Sequence, residues 1–453
     1  MAQLHLLVCC TPLYGHFNHL KPIARDLVLQ GFDVSFVTAP AHRKSIQDIG
    51  ATFYPLSGLA NFTEADLESR WPGLASIPLG AERLAYYFEI LVDTIPSQHD
   101  AVQKALKDIN EKDPHGTIVL INEVVFFGTI PTMKRAPGYH PKGVIGIGSM
   151  PLTLSSVDLP PFGPGLLPDR SPEAREQYKA MTKEMMEGPF APALAKYEAI
   201  LKELGVEGNT SYPLDASVLL PDRFLQCGIP SLEHYRSDAP ATLRFIGGIP
   251  KTIVEAWDEK PNWWAEVVNN AGKKRVLFVA QGTVATDFDE LVIPTMAAMQ
   301  GRDDILVVVS LCVRGATLPS GHLVPSNARV SDWIPYDLVL PYCDLFVTTG
   351  GYGSLQHSVY NGIPMVIAGM TEDKPEVAVR AEIAGLAVNM RTSTPTVDEL
   401  RVAVDTVLSE PKYKKRSIEL MNEMKSYDPM AMIVEAIQDV APLPMGSGSR
   451  RLC

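Results

Sequence analysis

Apolar runs of strand length alternate with helical segments along this chain, and this alternation restricts the possible folds more than any other feature. Residues 4–10 form a mostly apolar run, residues 11–15 are turn-like, and residues 16–29 place apolar side chains on one helical stripe. Gly31 suits the position after a helix, and residues 33–38 form the next apolar run. Strand, helix and strand in this order predict a βαβ unit with parallel strands.

The same alternation begins again in the second half of the chain. Residues 275–280 and 305–309 are apolar runs, residues 288–300 have helical spacing, and a further run at 345–348 leads into a glycine-rich turn. The 453 residues are too many for one hydrophobic core, which stops growing at about 250–300 residues. We therefore predict an α/β protein of two facing, Rossmann-like domains, each a doubly wound parallel sheet.

Prolines mark the predicted boundary between the two domains. Residues 221–262 contain several prolines and little periodicity, which is typical of a linker. We assign residues 1–240 to the N-terminal domain and residues 241–435 to the C-terminal domain. Residues 436–453 form a tail whose end, rich in glycine and serine, is predicted to be disordered.

The composition excludes several classes of partner. A formal net charge of −12, without a long basic run, argues against nucleic acid, because the chain would repel a phosphate backbone. The six cysteines include no CxxC pair, and no carboxylate cluster resembles a metal cage, so we expect no metal site. The chain lacks a signal-peptide pattern and any apolar stretch near the ~20 residues of a membrane span. We expect a cytoplasmic monomer without stable membrane insertion.

A glycine-rich turn in the second half of the chain is a candidate anion site. Glycines let a ligand approach the main chain, and the amides at the start of the following helix favour negative charge, as on a diphosphate. The turn alone leaves a purely structural role of the glycines equally open. It consists of Thr349, Gly350, Gly351, Tyr352, Gly353 and Ser354.

Motifs on both sides of this turn occur in a characteristic order. Trp333-Ile334-Pro335-Tyr336 precedes the turn, whereas residues 361–365 and Glu372-Asp373-Lys374 follow it. Gly15-His16 and Gln281-Gly282-Thr283 lie at turns after earlier strands. Together these motifs resemble the sugar-donor signature of the family 1 UDP-glycosyltransferases, in a variant closer to fungal and some bacterial members. The resemblance implies a GT-B fold, with the acceptor on the N-terminal domain and the UDP-sugar on the C-terminal domain.

The resemblance also implies a role for each residue of the sugar-donor site. Trp333 would stack on uracil, and the backbone of Ile334 would bond to the edge of the base. The glycine turn would hold the diphosphate, with Thr283 near the phosphates. Asp373 and Lys374 would lie beside the sugar hydroxyls. The complete predicted site comprises Gly15, Gln281, Gly282, Thr283, Trp333, Ile334, Tyr336, Thr349, Gly350, Gly351, Gly353, Ser354, His357, Asp373 and Lys374.

Three positions depart from the family pattern. Thr349 replaces a diphosphate-binding histidine, His357 replaces a ribose-binding glutamate, and Lys374 replaces a glutamine beside the sugar. The ribose contact is then lost or supplied by another residue, and Lys374 can bond a sugar hydroxyl or pair with a uronate. We expect glucose as the transferred sugar. The alternatives are a UDP-glucuronosyl preference, or a GT-B protein that binds nucleotide sugars with weak or no catalysis.

His16 is the candidate general base. It follows the first predicted strand at the edge where open α/β sheets bind ligands, and imidazole titrates near neutrality. A capping role at the helix start also fits this position, but the resemblance assigns His16 proton removal from the acceptor hydroxyl. A base needs an orienting acid. We predict Glu123 for this role, with Asn122 as its competitor, and we expect His19 on the helix surface.

The acceptor is predicted to be a small hydrophobic or phenolic molecule. The resemblance implies which segments line the acceptor cleft, and these segments carry aromatic side chains. Such side chains favour a phenol, flavonoid, sterol or polyketide, although aromatic residues more commonly belong to a core. The implied reaction is inverting and metal-independent, and it needs no cofactor besides the UDP-sugar as co-substrate. A nucleotide-sugar epimerase is a further alternative, against which the Gly15-His16 turn argues. The predicted acceptor contacts are Phe17, Tyr87, Phe88, Asn122 and Met150.

Overall fold

Two parallel sheets form the framework of the protein, which a computed structural model describes over residues 3–209, 211–249, 257, 260–282 and 285–442. Within these residues the first sheet has seven strands and the second has six. The strands of the first sheet are β1 (Leu4–Cys9), β2 (Asp33–Thr38), β3 (Thr52–Pro55), β4 (Thr117–Glu123), β5 (Gly143–Gly148), β6 (Arg223–Gln226) and β7 (Leu243–Phe245). Those of the second are β8 (Arg275–Ala280), β9 (Ile305–Ser310), β10 (Ala328–Ser331), β11 (Leu345–Thr348), β12 (Met365–Ile367) and β13 (Ala387–Asn389).

Helices cover both sheets. In the N-terminal half they are α1 (Tyr14–Leu29), α2 (Arg43–Asp48), α3 (Leu67–Arg70), α4 (Ala81–Asp93), α5 (Ile95–Lys112), α6 (Ile130–Met133), α7 (Pro172–Glu187), α8 (Ala191–Glu203) and α9 (Pro213–Leu219). In the C-terminal half they are α10 (Trp264–Val268), α11 (Val292–Ala298), α12 (Tyr336–Val339), α13 (Tyr352–Asn361), α14 (Lys374–Ile383), α15 (Val397–Ser409), α16 (Pro411–Lys425) and α17 (Pro429–Val440). None of the helices in the described ranges is long and apolar enough to cross a membrane.

The strand order of both sheets reverses at one internal position. The first sheet runs β3-β2-β1-β4-β5-β6-β7 and the second β10-β9-β8-β11-β12-β13, with parallel pairing throughout. In each sheet, successive strands are therefore added first toward one edge and then toward the other. The change occurs between β1 and β4 in the first sheet and between β8 and β11 in the second. Open α/β sheets bind ligands at the carboxyl ends of strands at such positions. The predicted fold class of two doubly wound parallel sheets is confirmed.

The first βαβ unit forms as its sequence predicts. Strand β1 is buried along its whole length, and its successive side chains enter different cores because they point to opposite faces of the sheet. Leu6 and Val8 pack in one core, whereas Leu7 and Cys9 pack in the other. Gly31 follows α1 with a φ of +89°, a backbone conformation that glycine adopts without a steric penalty.

The helix predicted at residues 288–300 is shorter in the structure. The side-chain oxygen of Gln281 accepts a hydrogen bond from the amide of Val292 at 2.9 Å. This contact satisfies one of the amides that the start of a helix leaves without an intrahelical partner. Helix α11 therefore begins at Val292, and Phe288 and Leu291 enter the core from the preceding turn.

The last helix returns to the first sheet. Ile433, Ala436 and Ile437 of α17 are buried in the same core as β1, and Val440 packs against Gly143 at the start of β5. Strand β7, which follows the predicted boundary at residue 240, pairs with β6 in the first sheet. The predicted tail at 436–453 includes the end of α17, and residues 443–453 lie outside the described residues.

Candidate active site

A cleft of about 580 Å³ separates the carboxyl edges of the two sheets. The turn after β1 borders it on one side, and the turns after β8 and β11 border it on the other. His16 and the residues Gly351, Gly353 and Ser354 therefore line the same space. Both points of strand-order reversal open into this cleft, which is the placement expected for a ligand site between two such domains.

His16 contacts a buried carboxylate at the wall of the cleft. Its Nδ1 lies 2.9 Å from Oε1 of Glu123, which ends β4 and is completely buried. Ser149, the residue after β5, donates its hydroxyl to the same oxygen at 2.7 Å. Because a carboxylate only accepts hydrogen bonds, the Nδ1 of His16 carries the proton, and Nε2 of the neutral ring is an acceptor.

Glu123 sets the charge state of this histidine. Burial lowers the pKa of His16, but the negative charge of Glu123 and its hydrogen bond outweigh burial and raise it above 6.5. Burial raises the pKa of Glu123, yet His16 and the hydrogen bond from Ser149 hold it below its usual value. Both pKa shifts arise from the attraction between His16 and Glu123. The imidazolium–carboxylate pair is therefore favoured over the neutral pair.

Asn122, the competing partner, contacts a different residue. Its side-chain oxygen accepts a hydrogen bond from the Thr129 hydroxyl at 2.8 Å, and the side chain is completely buried. Successive residues of a strand point to opposite faces. Glu123 therefore faces His16 while Asn122 faces away, so Asn122 does not reach the cleft either as an orienting group or as an acceptor contact.

Other predicted residues near His16 have unexpected positions. Phe17 is 3 % exposed, stacks on His42 at 3.8 Å between ring centroids, and packs in the core rather than on the cleft. His19, expected on the helix surface, is only 6 % exposed and lines the cleft three residues after His16 on the same helix face. Burial lowers the pKa of His19 to about 4, so this ring is neutral near pH 7.

The glycine turn has the shape of an anion site. Gly351 precedes α13, so the first amides of that helix face the cleft. Gly350 has a φ of +87°, and a Cβ there would lie 2.4 Å from Cγ2 of Ile367. The Thr349 hydroxyl donates to the carbonyl of Gln281 at 2.6 Å, so its proton is already engaged. The amides at the start of α13 are therefore the main hydrogen-bond donors of this turn.

The turn after β8 and the ring of Trp333 complete this side of the cleft. Gln281 and Gly282 line the cleft, as Gly15 does from the other domain, whereas Thr283 lies outside the described residues. The face of Trp333 is 5.1 Å from the guanidinium of Arg314. The amide of Ile334 donates to Ser310 at 3.1 Å, so a contact between this residue and a base would use its carbonyl.

The predicted sugar contacts form a charged group opposite His16. Lys374 donates to Thr371 at 2.7 Å and pairs with Glu372. Burial raises the pKa of Asp373, the residue between them, and His16 acts on it electrostatically. Tyr87, predicted to contact the acceptor, donates to Glu372 at 3.0 Å and so joins the two domains.

Apolar side chains line the remainder of the cleft on the first domain. Phe88 and Met150 lie there as predicted, together with Phe162. Ser149 and Glu372 are site residues that the sequence interpretation did not assign. Ser149 directly follows β5, so its position at the carboxyl edge of a parallel sheet was the signal that could have found it.

Comparison with solved structures shows the fold. The glycosyltransferase of kitacinnamycin superimposes with a TM-score of 0.72 over 97 % of this chain and 99 % of its own, at 20 % sequence identity. The chain thus has the GT-B architecture of two facing parallel-sheet domains, as predicted. A model of the erythromycin biosynthesis protein CIII-like C-terminal domain also matches residues 295–440.

Sequence relatives extend over nearly the whole chain. UDP-glucosyltransferase A1 of Starmerella bombicola is 37 % identical over 97 % of this chain and 93 % of its own. UDP-glucosyltransferase 1 of Beauveria bassiana (strain ARSEF 2860) is 39 % identical, with 94 % of each chain covered. The protein belongs to the family 1 UDP-glycosyltransferases. It is an enzyme that transfers a glycosyl group from a UDP-sugar.

Proposed function

We propose that this enzyme transfers glucose from UDP-glucose to a hydroxyl of a small hydrophobic or phenolic acceptor, with inversion at the anomeric carbon and His16 as general base. The observation that carries the proposal is the His16–Glu123 contact of 2.9 Å in the cleft that also contains the glycine turn. In this assignment the N-terminal domain binds the acceptor and the C-terminal domain binds the nucleotide sugar. The proton acceptor therefore faces the leaving group across the bound sugar.

The proposed reaction is a single displacement. The acceptor oxygen forms a bond to the anomeric carbon while the bond from that carbon to the diphosphate oxygen breaks, and UDP leaves with the electron pair. The proton of the acceptor hydroxyl passes to Nε2 of His16, and Glu123 compensates the imidazolium that forms. The amides at the start of α13 stabilise the negative charge on the departing diphosphate, so we expect the enzyme to need neither metal nor further cofactor.

Three features support glucose and an apolar acceptor. The charge of Lys374 is compensated by Glu372, which disfavours a uronate as its partner. Two named UDP-glucosyltransferases cover nearly the whole chain. On the acceptor side, Phe88, Met150 and Phe162 offer apolar surface, which favours a phenol, flavonoid, sterol or polyketide.

The decisive experiment combines a product screen with His16→Ala. We expect a hexose adduct by mass spectrometry when the enzyme is incubated with UDP-glucose and a panel of phenols, and a weaker product with UDP-glucuronate. Binding of UDP-glucose without any product would instead support a nucleotide-sugar-binding protein that lacks catalysis.

His16→Ala should abolish transfer, because the base is lost, while calorimetry still detects UDP binding. His42→Ala is the matched control, since His42 lies outside the residues that line the cleft. Full activity of His16→Ala would contradict the base assignment.

A further inference from the structure

A carboxylate and an imidazole form a pair on the wall of the nucleotide half of the cleft. Asp337 lies in α12, His357 lies in α13, and both line the cleft. Nδ1 of His357 is 3.1 Å from Oδ1 of Asp337 and donates to it, since the carboxylate can only accept. The side chain of Asp337 is 12 % exposed and that of His357 is 39 % exposed. The acid is therefore the more enclosed member of the pair.

The surroundings of the pair restrict how it can move. The ring of Tyr336 lies 5.5 Å from that of His357 in an edge-on arrangement, and it also packs edge-on against Phe346 in the core. His357 is thus held between an aromatic ring and the carboxylate. This packing fixes the imidazole and, through the hydrogen bond, the orientation of Asp337.

The position of the pair along the chain indicates its ligand. Asp337 is four residues after Trp333, on which uracil is expected to stack. His357 is one helical turn after Gly353 of the proposed diphosphate site. The pair therefore links the segment proposed to take the base with the helix proposed to take the diphosphate. In a nucleoside diphosphate these two parts are joined by the ribose, whose two vicinal hydroxyls need hydrogen-bond acceptors.

We propose, on the basis of the proposed function, that Asp337 accepts hydrogen bonds from the ribose hydroxyls of the UDP-sugar and that His357 positions it. A carboxylate offers about four lone-pair sites, so it can accept from His357 and from a diol together. His357 itself stands where the family pattern has a ribose-binding glutamate. The negative charge is present in this protein, but it comes from the neighbouring helix.

The test compares two nucleotides that differ only in the hydroxyls. Calorimetry measures the affinities of UDP and of 2′,3′-dideoxy-UDP for the wild-type enzyme and for Asp337→Asn. A hydrogen bond to a charged group accounts for about a 10- to 100-fold difference in affinity. We expect the wild type to bind UDP more tightly than 2′,3′-dideoxy-UDP by about this factor. Asp337→Asn should weaken the binding of UDP by the same factor, but not the binding of 2′,3′-dideoxy-UDP. Removing a negative charge near a diphosphate would by itself tighten binding, so a weaker UDP complex cannot arise from net charge.

Control variants separate the possible outcomes. Asp405→Asn removes a surface carboxylate that pairs with Arg302, and it should leave both affinities unchanged. His357→Ala should reduce the preference for UDP by a smaller factor than Asp337→Asn, because the acid remains but loses its hydrogen bond. An equal loss for both nucleotides in Asp337→Asn, or a wild type without preference, would overturn the ribose assignment alone. A wild type that binds neither nucleotide would overturn the proposed function as well. If Asp337→Asn fails to fold, His357→Ala still tests the residue assignment, and a wild type without preference would still overturn it.

Discussion

Glu123→Gln tests the proposed base with the smallest change in structure. The variant keeps an oxygen that can accept from Ser149 and from the amide of Val125, which donates to Glu123 at 3.2 Å. It also keeps an acceptor for Nδ1 of His16, so the ring orientation and tautomer are preserved. What it removes is the negative charge that holds the imidazolium.

The direction of the effect follows from the causes of the pKa shift. In the wild type, Glu123 raises the pKa of His16 above 6.5 despite burial. Without that charge burial remains, so the pKa falls. A charge-assisted hydrogen bond contributes about 1.5–3 kcal/mol, which corresponds to about one to two pH units. The same energy, lost from the transition state in which the imidazolium forms, lowers the plateau rate about 10- to 100-fold.

The assay is the pH dependence of kcat/KM for the acceptor at saturating UDP-glucose. The wild-type activity should rise with pH through a pKa above 6.5, because only neutral His16 accepts a proton. In Glu123→Gln, kcat/KM should rise at lower pH and reach a lower plateau. Ser149→Ala is the matched control, since it removes a hydrogen bond to Glu123 but keeps the charge and should move the rise little. An unchanged profile in Glu123→Gln, or a shift to higher pH, would refute the coupling.

Two further predictions concern the sugar-donor side. Trp333→Ala should raise the KM for UDP-glucose about 5- to 150-fold through lost stacking, whereas Trp263→Ala, outside the cleft lining, should not. An unchanged KM in steady-state kinetics would show that uracil binds elsewhere. Gly350→Ala should lower the free energy of unfolding by about 1–3 kcal/mol, because the φ of +87° disfavours a side chain and the Cβ would meet Ile367. Gly351→Ala, with a φ of −63° and no atom within 4 Å of its Cβ, should cost less in urea unfolding, and an equal loss would contradict the strain argument.

The sequence predicts those parts of the site that depend on strand ends. Parallel strands place their carboxyl ends at one edge, so the sequence alone predicts that the turns carrying His16 and the glycines belong to the site. The choice between Asn122 and Glu123 needed the structure, because the pattern does not show which of two adjacent strand residues faces the cleft. The same limit explains Phe17, whose side chain points into the core one residue after His16.

Contacts at the positions that depart from the family pattern were not readable from the sequence. Thr349 stands where a phosphate-binding histidine is usual, yet its hydroxyl is engaged by Gln281 from a distant turn. Asp337 and His357 are 20 residues apart and meet because α12 and α13 each contribute a side chain to the same cleft. Such pairs depend on tertiary packing, which neither spacing nor composition specifies.

The course of α17 has a consequence for any dissection of the enzyme. Because this helix covers the first sheet after the second has been completed, the N-terminal domain consists of two separate pieces of chain. The side chains of Ile433 and Ile437 are completely buried, and burying a side chain of this size contributes about 1.5–3 kcal/mol. Residues 1–240 expressed alone would expose the apolar surface that α17 covers. Since the polypeptide crosses between the domains twice, domain motion in this enzyme is constrained by two covalent connections rather than by one.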